Sequence, residues 1–284
     1  MWGFTDDYYS RIFLDMSDLI IILILAFIGS ILALVGGVVF LLKKSWATWL
    51  SYYSIPFAAG VLLVVSIVGL LPEALHAVGE KTFLIVLVTF LAAHFFERFF
   101  FGVHSHTEGG THDIHHQASV PIIIFGDTIH NFIDGVAIAA SYFINPSLGL
   151  ITTIATFLHE VPHEIADFGV LLKSGWGRMK VFWVNVFSAS TTILGALFVY
   201  FFHSEGIIGI LLAVSAGLFL YLGASNFLPH VHEEDIPRGK AAIALLAGVL
   251  LMFFVIKTLP HSNSEEEVNG HEDEAALILD RFLI

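Results

Sequence analysis

The sequence Asp127-Thr-Ile-His130-Asn131-Phe-Ile-Asp134-Gly135 lies inside an apolar run, residues 120–143, that is long enough to cross a membrane. Further along the chain, His159-Glu160-Val-Pro162-His163-Glu164-Ile-Ala-Asp167 lies inside a second such run, residues 148–172. An ionisable side chain at the centre of a bilayer costs roughly 2.5–3.5 kcal/mol on insertion scales. Because packing alone does not require so many polar residues, we interpret the two segments as a divalent-metal site in the middle of a membrane.

Long apolar runs determine the fold class. The chain has 284 residues, of which 57% are hydrophobic and 13% are charged, whereas soluble domains carry about 25% charged residues. The runs are continuous rather than alternating, which favours helices over a membrane β-barrel. We therefore predict an all-α, polytopic membrane protein that forms a single transmembrane domain over residues 1–284. Its eight predicted transmembrane helices are residues 19–42, 54–74, 82–101, 120–143, 148–172, 181–202, 206–228 and 241–259.

The distribution of Lys and Arg indicates the orientation, because cytoplasmic loops carry an excess of these residues. One set of predicted loops holds eight of the 12 Lys and Arg residues, and the side with both termini holds the other four. We predict that both termini are extracytoplasmic and that a His-rich loop at 102–119 is cytosolic. The acidic C-terminal tail, residues 261–284, is predicted to be flexible. The chain is expected in a plasma membrane, or in an inner membrane if it is prokaryotic.

Charge and cysteine content narrow the function classes. The formal net charge is −13 and the sequence has no basic patch, so we expect no nucleic-acid partner. The chain has no cysteine, and a metal must therefore be held by imidazole, carboxylate and amide groups. Such ligands favour zinc, iron or manganese over Cu(I). We expect no organic cofactor.

Helical spacing aligns the polar residues into two stripes, because residues three and four apart lie on one face. The first stripe consists of Asp127, His130, Asn131 and Asp134. The second stripe consists of His159, Glu160, His163, Glu164 and Asp167. Gly135 beside the first stripe allows another helix to approach closely, and Pro162 is expected to bend the second helix. Facing each other, the stripes offer enough donors for two metal ions that share a bridging carboxylate.

Two alternatives compete with a metal-transport site. Buried polar residues can satisfy one another and hold helices together, but they usually do so one or two at a time. The sequence His159-Glu160-Val-Pro162-His163 also matches H-E-x-x-H, in which the Glu is the general base of a zinc protease. Pro162 is expected to interrupt the helical turn that aligns the two histidines, and the donor series continues beyond a three-ligand site. We therefore predict that the protein is not an enzyme, with an intramembrane zinc metalloprotease as the alternative.

The paired motifs resemble a known family. His130-Asn131-x-x-Asp134-Gly135 followed by His159-Glu160-x-Pro162-His163-Glu164 resembles the Zrt/Irt-like (ZIP) family of divalent-metal transporters, and is most similar to its H-E-x-P-H-E subgroup. The eight spans, the outer termini, the His-rich loop and Phe57-Ala-Ala-Gly60 also match. The resemblance implies a ZIP-like bundle that moves divalent transition metal ions toward the cytosol by an elevator-like motion. Zinc is the favoured substrate, and iron, manganese and cadmium are further candidates.

The resemblance also implies a two-metal site between the fourth and fifth spans. His130, Asp134, His159 and His163 resemble ligands of the transported metal. Asn131 and Glu160 resemble ligands of a second metal, which Asp134 is placed to bridge. Accessory candidates are Asp127, Glu164, Asp167, Asn185, His230 and His232. The expected partners are transition-metal ions and the lipid bilayer, and the oligomeric state stays open, a homodimer included.

Overall fold

The computed structural model describes residues 16–100, 115–229 and 237–259, and every regular element in these ranges is a helix. The acidic tail, most of the His-rich loop and the accessory candidates His230 and His232 lie outside these ranges. The helix of the fourth predicted span begins at His115, five residues before the membrane-crossing stretch Val120–Ile144. Residues 115–119 of the predicted loop are therefore helical.

The α-helices of the described residues are numbered here in chain order. They are α1 (Met16–Gly29), α2 (Val35–Leu42), α3 (Lys44–Val64), α4 (Leu71–Val78), α5 (Lys81–Phe100), α6 (His115–Ile144), α7 (Pro146–Lys173), α8 (Arg178–Phe202), α9 (Glu205–Tyr221) and α10 (Arg238–Thr258). A 3₁₀ turn, Ile31–Leu34, joins α1 to α2. Two π-helical segments, Val65–Leu70 and Leu222–Phe227, follow α3 and α9.

Seven helical stretches among the described residues are long and apolar enough to cross a membrane. They are Met16–Leu42, Tyr52–Val78, Lys81–Phe99, Val120–Ile144, Arg178–Phe202, Gly206–Phe227 and Arg238–Thr258. Helix α7 has 28 residues and packs against α6 and α3, but its His, Glu and Asp residues lower its hydropathy. When α7 is counted as the fifth membrane span, the described residues form eight spans. The predicted all-α, multi-pass membrane fold is therefore confirmed.

Glycines bring the backbones of α6 and α8 into direct contact. Gly135 of α6 lies against the carbonyl of Thr192, and Gly195 of α8 lies against the carbonyl of Phe132. A Cβ atom at either glycine would overlap the facing carbonyl oxygen. Small residues at such crossings allow the close packing that holds membrane helices together. The close approach predicted from Gly135 is therefore confirmed, and α3 packs on α10 through Gly60 in the same way.

The two π-helical segments widen the second and seventh spans. In the first, the Ser66 hydroxyl donates to the Ala216 carbonyl at 2.6 Å. In the second, the ring centroid of Phe227 lies 4.8 Å from that of His163 on α7. Segments of this kind are rare and frequently mark functional sites. The seventh span therefore contacts the polar stripe of α7 directly.

Candidate metal site

Four side chains meet between α6 and α7. They are His130 and Asp134 on α6, and His159 and Glu160 on α7. Each offers one ligand atom, and these four atoms lie within 4.8 Å of one another. The side chain of His130 is 20% exposed, and the other three are buried. We call these residues the compact group.

Five of the six distances between the ligand atoms of the compact group lie near those of a tetrahedral metal site. His130 Nε2 lies 2.9 Å from Glu160 Oε1 and 3.7 Å from Asp134 Oδ2. His159 Nε2 lies 3.1 Å from Asp134 Oδ2 and 3.6 Å from Glu160 Oε1. The two imidazole nitrogens are 3.3 Å apart. Four atoms placed tetrahedrally at about 2.0 Å from a zinc ion are separated by about 3.3 Å, so the five measured distances bracket the tetrahedral value.

The hydrogen bonds of the compact group leave its lone pairs facing one another. The Nδ1–H of His159 donates to the Ala155 carbonyl at 2.9 Å, which fixes the tautomer of a neutral ring. The Nε2 lone pair of His159 then points toward the Asp134 carboxylate and toward Nε2 of His130. Among the described residues, the carboxylate oxygens of Asp134 and Glu160 accept no hydrogen bond. Buried acceptors in such contact are unfavourable unless a cation lies among them.

His163 lies beside the compact group rather than in it. Its ring centroid is 5.1 Å from that of His130 and 6.0 Å from that of His159. Helix α7 continues through Pro162, although this proline has no N–H to donate to the Leu158 carbonyl. The resemblance assigns His163 to the ligands of the transported metal, together with His130, Asp134 and His159. In the structure, the residue that joins these three in the compact group is Glu160.

Asn131 connects three helical segments. Its Nδ2 donates to Asp127 Oδ1 at 2.9 Å. Its Oδ1 accepts hydrogen bonds from the Ser30 hydroxyl and, at 3.2 Å, from the Thr192 hydroxyl on α8. These two bonds use both lone pairs of the amide oxygen. The structure therefore does not bring Asn131 into the compact group as a free metal ligand.

The described accessory candidates differ in their surroundings. The Glu164 carboxylate is buried, accepts no hydrogen bond from the described residues, and interacts electrostatically with Asp127 and Asp167. Asn185 on α8 is also buried, but its amide donates to the Val181 carbonyl at 2.8 Å. Asn185 is therefore bonded to its own helix, whereas the electrostatic neighbours of Glu164 are other acids.

Two neighbours of the site were missed by the sequence analysis. The Ala155 carbonyl lies four residues before His159, so helical periodicity could have identified it as a partner for the ring. Phe227 is distant in sequence from His163, and no local pattern links the two. Its contact depends on the π-helical segment that places it.

A family model agrees with the motifs and the fold. The model of the ZIP zinc transporters matches residues 101–256, more than half of the 284-residue chain. The chain belongs to the ZIP zinc transporter family. All four members of the compact group lie within the matched residues of this ZIP-family chain.

Curated relatives match just under half of the ZIP-family chain. It is 33% identical over 138 residues to zinc transporter foi of Drosophila melanogaster, covering 47% of this chain and 20% of that protein. It is 38% identical over 136 residues to zinc transporter ZIP13 of Mus musculus, covering 45% of this chain and 37% of that protein. It is 36% identical over 138 residues to zinc transporter ZIP6 of Homo sapiens, covering 46% of this chain and 18% of that protein. The match spans less than two fifths of the length of each of these relatives.

Proposed function

We propose that the chain transports divalent transition metal ions across a membrane toward the cytosol, with zinc as the favoured substrate. The ion would pass through the compact group between α6 and α7. The observation that carries this proposal is the set of four potential ligand atoms that lie within 4.8 Å of one another, three of them on buried side chains. Two imidazoles and two carboxylates suit zinc, and also iron and manganese. The family membership and the zinc transporters among the relatives support the same assignment.

Charge balance explains how a metal ion could rest inside the membrane. The carboxylates of Asp134 and Glu160 supply two negative charges, and a divalent ion supplies two positive charges. The loaded group is then neutral, which a low-dielectric environment favours. The imidazoles of His130 and His159 complete the coordination as neutral donors. We infer that binding replaces the water of the ion by protein ligands at little electrostatic cost.

A relative movement of two helical units would change access to the ion. Gly135 and Gly195 hold α6 and α8 together, and the compact group joins α6 to α7. Gly60 and Gly248 hold α3 and α10 together in a second unit. We propose that the unit containing α6, α7 and α8 carries the ion past the unit containing α3 and α10.

The metalloprotease alternative has less support from the geometry. A general base must be free to activate a water molecule. Glu160 Oε1 instead lies 2.9 Å from His130 Nε2, where it belongs to the ligand set. The compact group also includes two residues of α6, His130 and Asp134, which the H-E-x-x-H motif does not contain.

Purified protein in proteoliposomes tests the proposal. Zinc, iron, manganese and cadmium are offered outside, and their entry is measured against liposomes without protein. We expect entry that saturates with metal concentration and is fastest for zinc. Absence of entry for all four ions, together with metal-dependent cleavage of a test peptide, would replace transport by proteolysis.

A further inference from the structure

We propose that Asp127, Glu164 and Asp167 hold a partly hydrated divalent cation as a second stage beside the compact group. This inference rests on the proposed function, because it describes the route by which the ion leaves. We call the three residues the acidic stage. They lie on the side of the compact group that leads to Lys173 and Arg178.

Helix geometry sets the position of the acidic stage. With a rise of 1.5 Å per residue, Glu164 lies about 6 Å and Asp167 about 10 Å beyond Glu160 along α7. Helices α6 and α7 run in opposite directions, since a single residue, Asn145, separates them. Asp127 precedes His130 on α6 and therefore lies toward the same end. The three carboxylates therefore lie next to the compact group at the end of α7 that leads to Lys173.

The Glu164 side chain gives independent evidence for a cation. Its relative exposure is 1%, and both carboxylate oxygens lack a hydrogen bond from the described residues. Its electrostatic partners are Asp127, Glu160 and Asp167, all of them acids. A buried carboxyl group near other acids stays ionised only when a positive charge compensates it. A cation among these side chains would supply that charge.

The opposite direction from the compact group is closed. Residues 134–142 of α6 are all buried, and beyond Asp134 they carry no charge. On α7, residues 151–153 and 155–156 are also buried and uncharged. Asp127 and Asp167, in contrast, are half-buried. Among the described residues of α6 and α7, the carboxylates beyond the compact group therefore lie on the Lys173 side.

The ligand chemistry of the acidic stage differs from that of the compact group. Within the described residues, the compact group is the only set of three or more ligand atoms as close as 4.8 Å. The carboxylates of the acidic stage are therefore farther apart, and water must fill the gaps around an ion. Oxygen ligands combined with water suit hard or hydrated cations, whereas imidazole suits zinc. An ion that passes between the stages exchanges nitrogen ligands for water, which weakens its binding and favours release.

Manganese provides a probe for the acidic stage. The full chain in detergent is loaded with one equivalent of Zn²⁺, and Mn²⁺ is then titrated while free Mn²⁺ is measured by electron paramagnetic resonance. We expect the wild type to bind further Mn²⁺. Glu164→Gln and Asp167→Asn should each weaken Mn²⁺ binding by about tenfold or more, as expected for the loss of a charged ligand. Zinc affinity should stay near the wild-type value.

A matched control separates the acidic stage from a general loss of charge. Glu97→Gln removes a carboxylate from α5 that accepts hydrogen bonds from Tyr221 and Asn226. This variant should bind Mn²⁺ like the wild type. Glu164→Gln keeps the size of the side chain and removes a buried charge, so folding should survive. Asp167 is less buried, and Asp167→Asn keeps the test valid if the Glu164 variant does not fold.

Each outcome distinguishes the acidic stage from the proposed function. Mn²⁺ binding that is unchanged in both acidic-stage variants, or that depends on Asn131 instead, would refute the acidic stage but leave zinc transport intact. Loss of zinc binding in Glu164→Gln would place Glu164 in the compact group and refute a separate stage. A wild type that binds no zinc at all would refute the proposed function itself.

Discussion

His130 and His159 are equally central to the compact group, because the Nε2 atom of each lies within 3.7 Å of the three other ligand atoms. Replacement His130→Ala removes a nitrogen donor from the substrate site. We expect the initial rate of zinc uptake into proteoliposomes to fall by more than about tenfold, since even changes behind a ligand cost 10–100-fold. His203→Ala is the matched control, because the ring of His203 stacks on Phe143 at a centroid distance of 4.2 Å. Wild-type uptake by the His130 variant would contradict the site assignment.

Glu160 separates the two candidate functions. Glu160→Gln keeps an oxygen donor but removes one of the two carboxylate charges from the compact group. We expect zinc to bind about tenfold more weakly, a loss of roughly 1.4 kcal/mol, while transport stays measurable. The measurement is the zinc dependence of uptake, with Glu97→Gln as the control. Wild-type cleavage of a membrane-embedded substrate that is lost in the Glu160 variant would instead identify a protease.

Helical spacing predicted which residues of the site face one another, but not the details of the ligand set. Residues of the two stripes meet because i, i+3 and i, i+4 positions share a face. Whether Glu160 or His163 completes the compact group depends on the rotation of α7 about its axis. That rotation is set by contacts such as His163 with Phe227, which local sequence does not encode. Asn131 likewise bonds to Ser30, 101 residues away.

At the scale of helices, the glycine contacts between α6 and α8 are expected to stabilise the protein, which a substitution can test. Gly135→Ala would force its Cβ atom into the carbonyl of Thr192. Overpacking of this kind costs about 1–3 kcal/mol, and we expect a lower thermal unfolding temperature in detergent. Gly206→Ala is the control, because a Cβ atom there meets nothing within 4 Å. In that variant the higher helix propensity of Ala should leave stability unchanged or raise it by up to about 1 kcal/mol.

The sequence predicted the existence of the helices better than their internal geometry. Apolar runs of the right length identify spans because the bilayer requires about 20 apolar residues. The π-helical segments were not predicted, because their stabilising contacts join distant parts of the chain. Ser66, for example, bonds to the carbonyl of Ala216, 150 residues away. Such contacts depend on the packed bundle rather than on local composition.

At the scale of the whole molecule, the predicted orientation can be tested in this cysteine-free chain. Ser174 lies between α7 and α8, and Ser204 lies between α8 and α9. Ser204 is exposed and Ser174 is half-buried, and the two serines belong to opposite sides of the bundle. We expect a membrane-impermeant thiol reagent applied to intact cells to label the Ser204→Cys variant but not the Ser174→Cys variant. Each variant serves as the control for the other, and the reversed pattern would invert the orientation inferred from Lys and Arg.

The His-rich loop and the acidic tail stay predictions at this scale. Most of the loop and all of the tail lie outside the described residues. The spans, in contrast, were predictable because lipid imposes one strict requirement on every residue that it surrounds.

The π-helical segment Val65–Leu70 has a consequence for changes in chain length. Its hydrogen bonds run from residue i to i+5, so it accommodates one residue more than an α-helical turn over a similar rise. Deleting one residue from an ordinary α-helix rotates everything beyond it by about 100°, which would expose buried faces of a membrane span to lipid. A single deletion within Val65–Leu70 can instead convert the wide turn into an α-turn, leaving α3 and α4 facing their present neighbours. The second span is therefore expected to tolerate a one-residue deletion at this place, whereas the same deletion in α6 would move Asp134 away from His159.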